Sequence, residues 1–573
     1  MNYTADIKKL PRKFLPEDFT LNTYDDIQPY FDQLLAEDIS TKEKLEDWLL
    51  KLSETEAVLS EDACWRQIKM TCDTEDKSLE ENFNFYCFEI QPKIQPVADA
   101  LNKKLLSSPA AAQLPLQEYF TYLRSIKKNI ELFREENIPL QAEMAVLQQQ
   151  FGQITGAMTV EIDDKEYTLQ QAGKFLENPD RKIRENAYFK IQERRLKDVS
   201  ALDELYNKLL SLRSKIATNA GFENYTAYRF KELGRFDYGV KESEQFQEAV
   251  KLHIVPLVKA IHQHKKEKLG LTELRPWDLD AEPAGTQPLR PFKTGDELLQ
   301  KTLECFTSLR PFFAECLTTM RSMKHLDLES RKGKAPGGYN CPLAESGAPF
   351  IFMNAAGKMD DVTTMVHEGG HAVHSFLAHP LRLSGFKEYP MEIAEVASMS
   401  MELFTMDHWQ SFFTDETELK RAKLHQLERV ITIFPWIATI DKFQHWIYAN
   451  PGHTNEQRKD AWVAILKEYS DGVVDFSGLE HFRNHSWQRQ LHLFEVPFYY
   501  IEYGIAQLGA IGMWMQYKKN PQQALDNYCK ALSLGGTKTL PELYEAAGLE
   551  FDFSPEKIKT LMEFVKVELD ALS

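Results

Sequence analysis

Asp360-Asp361-Val362-Thr363-Thr364-Met365-Val366-His367-Glu368-Gly369-Gly370-His371-Ala372-Val373-His374-Ser375-Phe376 is the stretch from which the rest of the chain is read. It contains H-E-x-x-H, two histidines one helical turn apart with a glutamate beside the first. Residues four apart share a helix face, so both imidazoles can reach one zinc ion at about 2.0–2.1 Å. Glu368 then falls beside the ion rather than on it, where a base for an activated water is needed. Asp360 or Asp361 is expected to cap the helix and Pro380 to stop it after Ala378, giving a metal-site helix over 361–378. Gly369 and Gly370 cost roughly 1 kcal/mol each against alanine inside a helix. They are expected where another backbone, or a substrate, comes close. The rival reading is a chance match on a buried core helix; capping and stop signals on either side weigh against it.

Catalytic zinc needs a third protein ligand and an open position. A histidine six residues after His371 would supply it in a metzincin, but that position is Leu377. A glutamate on a following helix is the alternative. Residues 391–405, Met391 to Thr405, form an apolar, small-sided segment that reads as a buried helix carrying Glu392, Glu395 and Glu402. Glu395 is favoured: it sits among Ala394, Val396 and Ala397, where a carboxylate is costly unless a metal or donor compensates. Glu402, seven residues on, shares that face and suits an acceptor for a ligand histidine. Glu392 lies in the first turn, where the helix dipole alone explains it.

The 573-residue chain carries a formal charge of −18, which argues against a nucleic-acid partner. Its seven cysteines are scattered and odd in number, with no C-x-x-C pair, as in a reducing compartment. Met1 to Phe19 contains no apolar core of a signal peptide, and no long uncharged apolar run suggests a membrane span. A cytoplasmic protein is the plain expectation. Helical periodicity runs from Asp25 to about Gln150, with long helices expected at Ser78–Leu106 and Leu116–Arg134. Met158–Ile162 and Lys165–Leu169 read as a β-hairpin across Asp163-Asp164, and Asn178-Pro179-Asp180 opens a helix running through Arg195 towards Ser211. Arg184, Arg194 and Arg195 are substrate candidates, though a solvated helix face explains them more simply. Leu271–Thr294 is a proline-rich loop with Trp277 as its anchor, followed by helices from Gly295 to His325. Ala348–Asn354 is a short strand whose edge would suit an extended peptide, or which simply fills the core. The fold class is therefore mainly α with a small sheet.

His367-Glu368-Gly369-Gly370-His371-Ala372-Val373-His374 with Glu395–Glu402 resembles the thimet oligopeptidase and oligoendopeptidase F family of zinc peptidases, most of all its bacterial oligoendopeptidase and Pz-peptidase branch. The similarity extends through Arg331–Tyr339, Pro349–Asn354, Trp487–His492 and Pro497–Gly504, covering about Ser200 to Ser573. It implies a helical ellipsoid divided by a deep channel, with a zincin-like core. Residues 1–200 would form one wall and 201–573 the catalytic region, including a tyrosine segment at 492–504. By motif position it makes His367, His371 and Glu395 the ligands of one zinc ion, Glu368 the base, and His374 a companion rather than a ligand. It also implies that Tyr503, then Tyr500, then Tyr499, with His492, donate to the oxyanion formed during hydrolysis. The expected activity is cleavage of internal bonds in short peptides, with folded proteins shut out. One departure is local: His492 to Tyr499 contains no glycine, although the corresponding loop of eukaryotic members is often glycine-rich.

His481 and His485 are also four apart, but they lack a flanking base and a clear third ligand. Gly535-Gly536 reads as a helix C-cap, or as an edge of the channel. The alternatives to an endopeptidase are a helical zinc carboxypeptidase, separated by its single-residue products, and a non-catalytic peptide-binding protein, separated by the absence of metal-dependent turnover.

Overall fold

The computed structural model describes residues 3–572 apart from 8, 10, 284, 332 and 336, so Lys332 and Pro336 of the Arg331–Tyr339 stretch lie outside the described residues. Helices dominate, with a two-stranded sheet of β1 (Thr159–Ile162) and β2 (Lys165–Thr168) and a separate three-stranded sheet. Among the described residues no helix is long and apolar enough to cross a membrane. The chain folds into two compact units, each assembled from three stretches. The first comprises Met1–Glu135, Arg290–Lys423 and Ala506–Phe551; the second comprises Glu136–Leu289, Leu424–Ile505 and Asp552–Ser573. The units thus interleave along the chain.

In the first unit the Lys42–Cys72 helix buries Leu45, Trp48, Leu49, Leu52, Val58 and Leu59, the three- and four-residue stripe visible in the sequence. The Trp48 indole N–H donates to the Leu34 carbonyl at 2.8 Å, so its polar atom is satisfied within the core. The helix expected at Ser78–Leu106 is divided into Lys77–Phe85, a wider π turn at Tyr86–Ile90, and Gln91–Ser107. Pro92 explains the division: it has no N–H, and its ring clashes with the carbonyl one turn back, which a π turn relieves.

The three-stranded sheet has β3 (Leu326–Glu329), β4 (Tyr339–Cys341) and β5 (Phe350–Ala355) in the order β3-β5-β4. β5 is paired on both sides, parallel to β3 and antiparallel to β4. Of the two readings of this strand, an edge for a peptide or a strand that fills the core, the structure favours the second: the backbone groups of β5 are used by two neighbours, and β3 and β4 take the outer places.

The helix that follows is Met359–Ala378. It starts before the aspartates, which corrects the expected cap. Asp361 instead lies in the first turn and accepts backbone N–H groups of Lys358 and Ala356, both at 2.8 Å. The Met391–Thr405 helix packs against it. A Cβ on Gly370 would lie 2.7 Å from both Ala397 O and Ser398 Cα, so glycine is what lets the two helices approach.

In the second unit β1 and β2 form the expected hairpin. Asp163 and Asp164 both have positive φ, 52° and 59°, as a tight I′-type turn requires. The long helix expected after Asp180 breaks in two, Arg181–Leu196 and Val199–Asn219. Asp198 leaves helical geometry, and its carbonyl accepts Leu202 N at 2.9 Å to start the second helix. Trp277 does anchor its loop, buried with Tyr188, Leu479 and Phe482.

Candidate metal centre

The first unit brings His367, His371 and Glu395 together, their ligand atoms all within 4.8 Å of one another. His367 Nε2 is 3.4 Å and His371 Nε2 3.7 Å from Glu395 Oε2. Ligands at about 2.0–2.1 Å on a tetrahedral ion stand roughly 3.3 Å apart, so this donor set fits a zinc ion. Among the described residues no other group of histidine, cysteine and carboxylate side chains converges in this way, and His481 with His485 forms none.

Each donor is oriented by a neighbour. His367 Nδ1 donates to Glu402 Oε1 at 2.7 Å, which turns Nε2 towards the metal position. The Ser398 hydroxyl donates to Glu395 Oε2 at 3.0 Å. Glu392 is not part of the group; Glu395 is its carboxylate, and Glu402 is the acceptor that orients His367. Burial disfavours the His367 imidazolium, but its hydrogen bonds to Glu395 and Glu402 outweigh that and raise its pKa. Burial opposes ionisation of Glu395 too, yet the two histidines and Ser398 hold it down to about 2. Burial pulls His371 down to about 4, leaving it neutral and able to ligate. The electrostatics are those of a site arranged around a cation.

Glu368 is 6 % exposed, and its Oε2 has no hydrogen-bond partner. Burial pushes its carboxyl up to about 7, with further upward pressure from Glu395 and Glu402 against His367. A buried carboxylate oxygen with nothing to bind is suited to exchanging a proton with a water. Asn340 of β4 donates to the Glu368 carbonyl at 3.3 Å, tying the sheet to the metal helix. His374 is buried, kept neutral chiefly by that burial, and stacked on Tyr389 at 3.6 Å, outside the ligand group.

In the second unit the tyrosine segment is a cluster of its own. Tyr499 and Tyr500 both pack edge-on against Tyr503, at 5.3 and 5.5 Å. His492 lies 4.8 Å from the Tyr500 ring, and its Nε2 is 3.4 Å from the Tyr503 hydroxyl. Trp436 donates to Gln490 at 2.9 Å, and the Gln490 amide donates to His492 Nδ1 at 2.7 Å, which puts the imidazole proton on Nε2.

Sequence reasoning missed what holds this segment still. Phe498, fully buried, has a φ of 64°, a costly conformation for a non-glycine residue. Its N–H donates to Gln444 Oε1 and its carbonyl accepts from Arg235, which also pairs with buried Glu502 at 2.9 Å. Arg213 donates to the Leu493 and Phe494 carbonyls in the same way. These partners are distant in sequence, and nothing local marks them. In the first unit Gly536 donates to the Phe386 carbonyl at 2.7 Å, and a Cβ there would lie 2.0 Å from Glu388 O. The Gly535-Gly536 pair is thus a close approach of two backbones as well as a helix end.

The sequence model of peptidase family M3 matches residues 174–563, and that of the peptidase M3 N-terminal domain matches residues 14–133. Oligopeptidase PepF of Bacillus subtilis is 24% identical over 433 residues, 72% of this chain and 60% of that protein. An oligoendopeptidase F homolog of Borreliella burgdorferi is 24% identical over 384 residues, 65% of this chain and 61% of that protein. The match thus spans about three fifths of these curated relatives. Among solved structures, Pz peptidase A with an inhibitor superposes with a TM-score of 0.91 at 26% identity, covering 98% of this chain and 99% of that one. A putative oligoendopeptidase F gives 0.88 at 26% identity with the same coverage.

Proposed function

Since the chain belongs to peptidase family M3, we propose that it is a zinc-dependent endopeptidase that hydrolyses internal bonds of short oligopeptides and excludes folded proteins by a narrow channel. The observation that carries this reading is the convergence of His367, His371 and Glu395 next in sequence to Glu368, whose buried Oε2 has no hydrogen-bond partner. One zinc ion bound there would supply Lewis acidity to a water and to the scissile carbonyl. Glu368 accepts the proton of the attacking water and returns it to the leaving amine. Glu402 keeps His367 oriented throughout. Tyr503 and Tyr500, with the Nε2 proton of His492, donate to the oxyanion of the tetrahedral species. β4, as the outer strand of its sheet, offers main-chain groups along which an extended peptide can lie.

The test is incubation with an N-blocked, C-amidated peptide of about ten residues, with and without a chelator, followed by product masses. Internal cleavage that the chelator stops and zinc restores supports the reading. Release of single residues from a free-acid version only would replace it with a carboxypeptidase. Glu368→Gln is expected to lose at least about a hundredfold in kcat while retaining its metal; wild-type turnover by that variant would sink the assignment.

A further inference from the structure

Where the Gly535-Gly536 turn meets Phe386 it lines a cavity that the metal group does not share. The cavity measures about 200 Å³, and all its lining residues belong to the first unit. Three elements are fixed together around it. The Thr121 hydroxyl, on the Leu116–Leu132 helix, donates to the Gly536 carbonyl at 2.6 Å, and the Gly536 N–H donates to the Phe386 carbonyl. A Cβ on Gly385 would lie 2.5 Å from the Tyr122 ring, so a glycine seats that ring against the Ser384–Phe386 turn.

The lining is amphipathic. Phe31, Leu52, Leu101 and Ile126 supply a buried apolar wall, whereas Glu56 and Glu388 bring two carboxyl groups to the same space. Both acids are open to the cavity yet enclosed by protein, and among the described residues neither has an ion pair. Glu56 Oε2 accepts the Ser384 hydroxyl at 2.7 Å, which fixes its position. Burial, with Glu388 adding its charge, pushes the Glu56 carboxyl up to about 7. Burial also raises Glu388, against the pull of Lys128. Tyr122 is an independent sign of a ligand. It is 7 % exposed, it lines the cavity within electrostatic reach of both acids, and among the described residues no group hydrogen-bonds its hydroxyl. A buried phenol without a partner is costly, and its oxygen and its ring face both suit a cation.

We propose that this cavity binds the head of an alkylammonium or alkylguanidinium group, whose N–H donors go to Glu56, Glu388 and the Tyr122 oxygen and whose methylene stem lies on the apolar wall. A metal ion fits less well. Among the described residues three donors from histidine, cysteine or carboxylate side chains converge at the His367 group and not here, and a hard cation wants six or more oxygens. The volume lies below the roughly 300–1,000 Å³ of pockets for larger ligands, which matches one side chain or one small amine. A free amine and the lysine or arginine side chain of a peptide carry the same head, and binding of either is independent of the peptidase reading.

Equilibrium binding at about pH 8, where Glu56 is ionised, tests it with n-pentylamine and n-pentanol. Wild type is expected to bind the amine on the order of tenfold more tightly than the alcohol. That ratio is expected to fall towards one in Glu56→Gln and Glu388→Gln, and amine binding to weaken in part in Tyr122→Phe, which keeps the ring. Glu81→Gln removes the same charge from an exposed position outside the cavity and is expected to leave the ratio unchanged, which controls for general attraction to a chain of formal charge −18. A third probe, a blocked peptide with one internal lysine, is added to Glu368→Gln protein so that it stays intact. Displacement of the amine by this peptide would assign the site to basic side chains; amine binding that the peptide leaves untouched would assign it to free amines. Equal binding of amine and alcohol, an equal loss in Glu81→Gln, or a ratio unchanged in both Glu56→Gln and Glu388→Gln would overturn the proposal. Binding of neither amine nor peptide would also overturn it, and would leave Glu56 as a carboxyl neutralised by its own proton.

Discussion

Glu402 stands behind the candidate ligands, yet its carboxylate decides which imidazole nitrogen His367 presents, through one 2.7 Å hydrogen bond. Glu402→Ala is therefore expected to weaken metal binding about 10–100-fold without removing a ligand, measured by competition with a chromogenic chelator. His374 makes the opposite case. Both of its ring nitrogens are buried without partners, and burial holds it neutral. Its folded pKa is depressed, so the unfolded chain takes up the proton first. The stability it contributes is present above the unfolded value of about 6.5 and is lost as pH falls below it. His374→Phe, which keeps the stack on Tyr389, is expected to narrow the difference between Tm at pH 7.5 and at pH 5. At this scale the sequence is most legible where chemistry imposes a local spacing: His367, His371 and Glu368 within one turn, Glu395 and Glu402 two turns apart. Arg235, Gln444 and Arg213 are not legible, because a buried arginine that binds a carbonyl some 280 residues away leaves no periodic trace.

At the level of elements, the approach of the two metal-site helices depends on a missing methyl. Gly370→Ala would set a Cβ 2.7 Å from the Ala397 carbonyl and the Ser398 Cα, both backbone atoms that cannot rotate away. The expected cost is about 1–3 kcal/mol of stability, read by denaturant unfolding. Metal binding is expected to weaken as well, because Glu395 lies three residues before Ser398 and moves with that backbone. Gly152→Ala is the control: it lies in the Ile138–Gly156 helix with nothing within 4 Å of its would-be Cβ, and a gain of about 0.4–1 kcal/mol is expected. Element boundaries are legible where one residue forces them, as at the Asp163-Asp164 turn. They are obscured where two local signals compete. Pro92 widens a helix instead of ending it, and Asp198 begins a new helix where the sequence reads as one continuous helix. The central position of β5 is invisible for a different reason: pairing with β3 and β4 is a tertiary choice that a mostly apolar strand of six residues does not encode.

Across the whole molecule, the two units divide the labour. All three candidate metal ligands, Glu368 and Glu402 belong to the first unit, and the tyrosine segment with its arginine brackets belongs to the second. Removing metal should therefore loosen one unit more than the other. Hydrogen exchange after chelation is expected to rise in the Met359–Ala378 and Met391–Thr405 helices and to stay unchanged at Glu136–Leu289. A uniform rise across both units would show that the metal stabilises the molecule as a single cooperative block.

The interleaving of the chain also bears on the order in which the protein can be finished during synthesis. When residue 505 has emerged, every candidate metal ligand has already been made, but the first unit still lacks Ala506–Phe551. That stretch backs the third-ligand helix: the Tyr528 hydroxyl donates to Ala397 O at 2.8 Å, and Gly509 leaves room for Val396. A nascent chain therefore carries all three candidate ligands, already packed helix on helix, before the far side of the Met391–Thr405 helix is covered, and metal affinity is expected to rise once that stretch is translated.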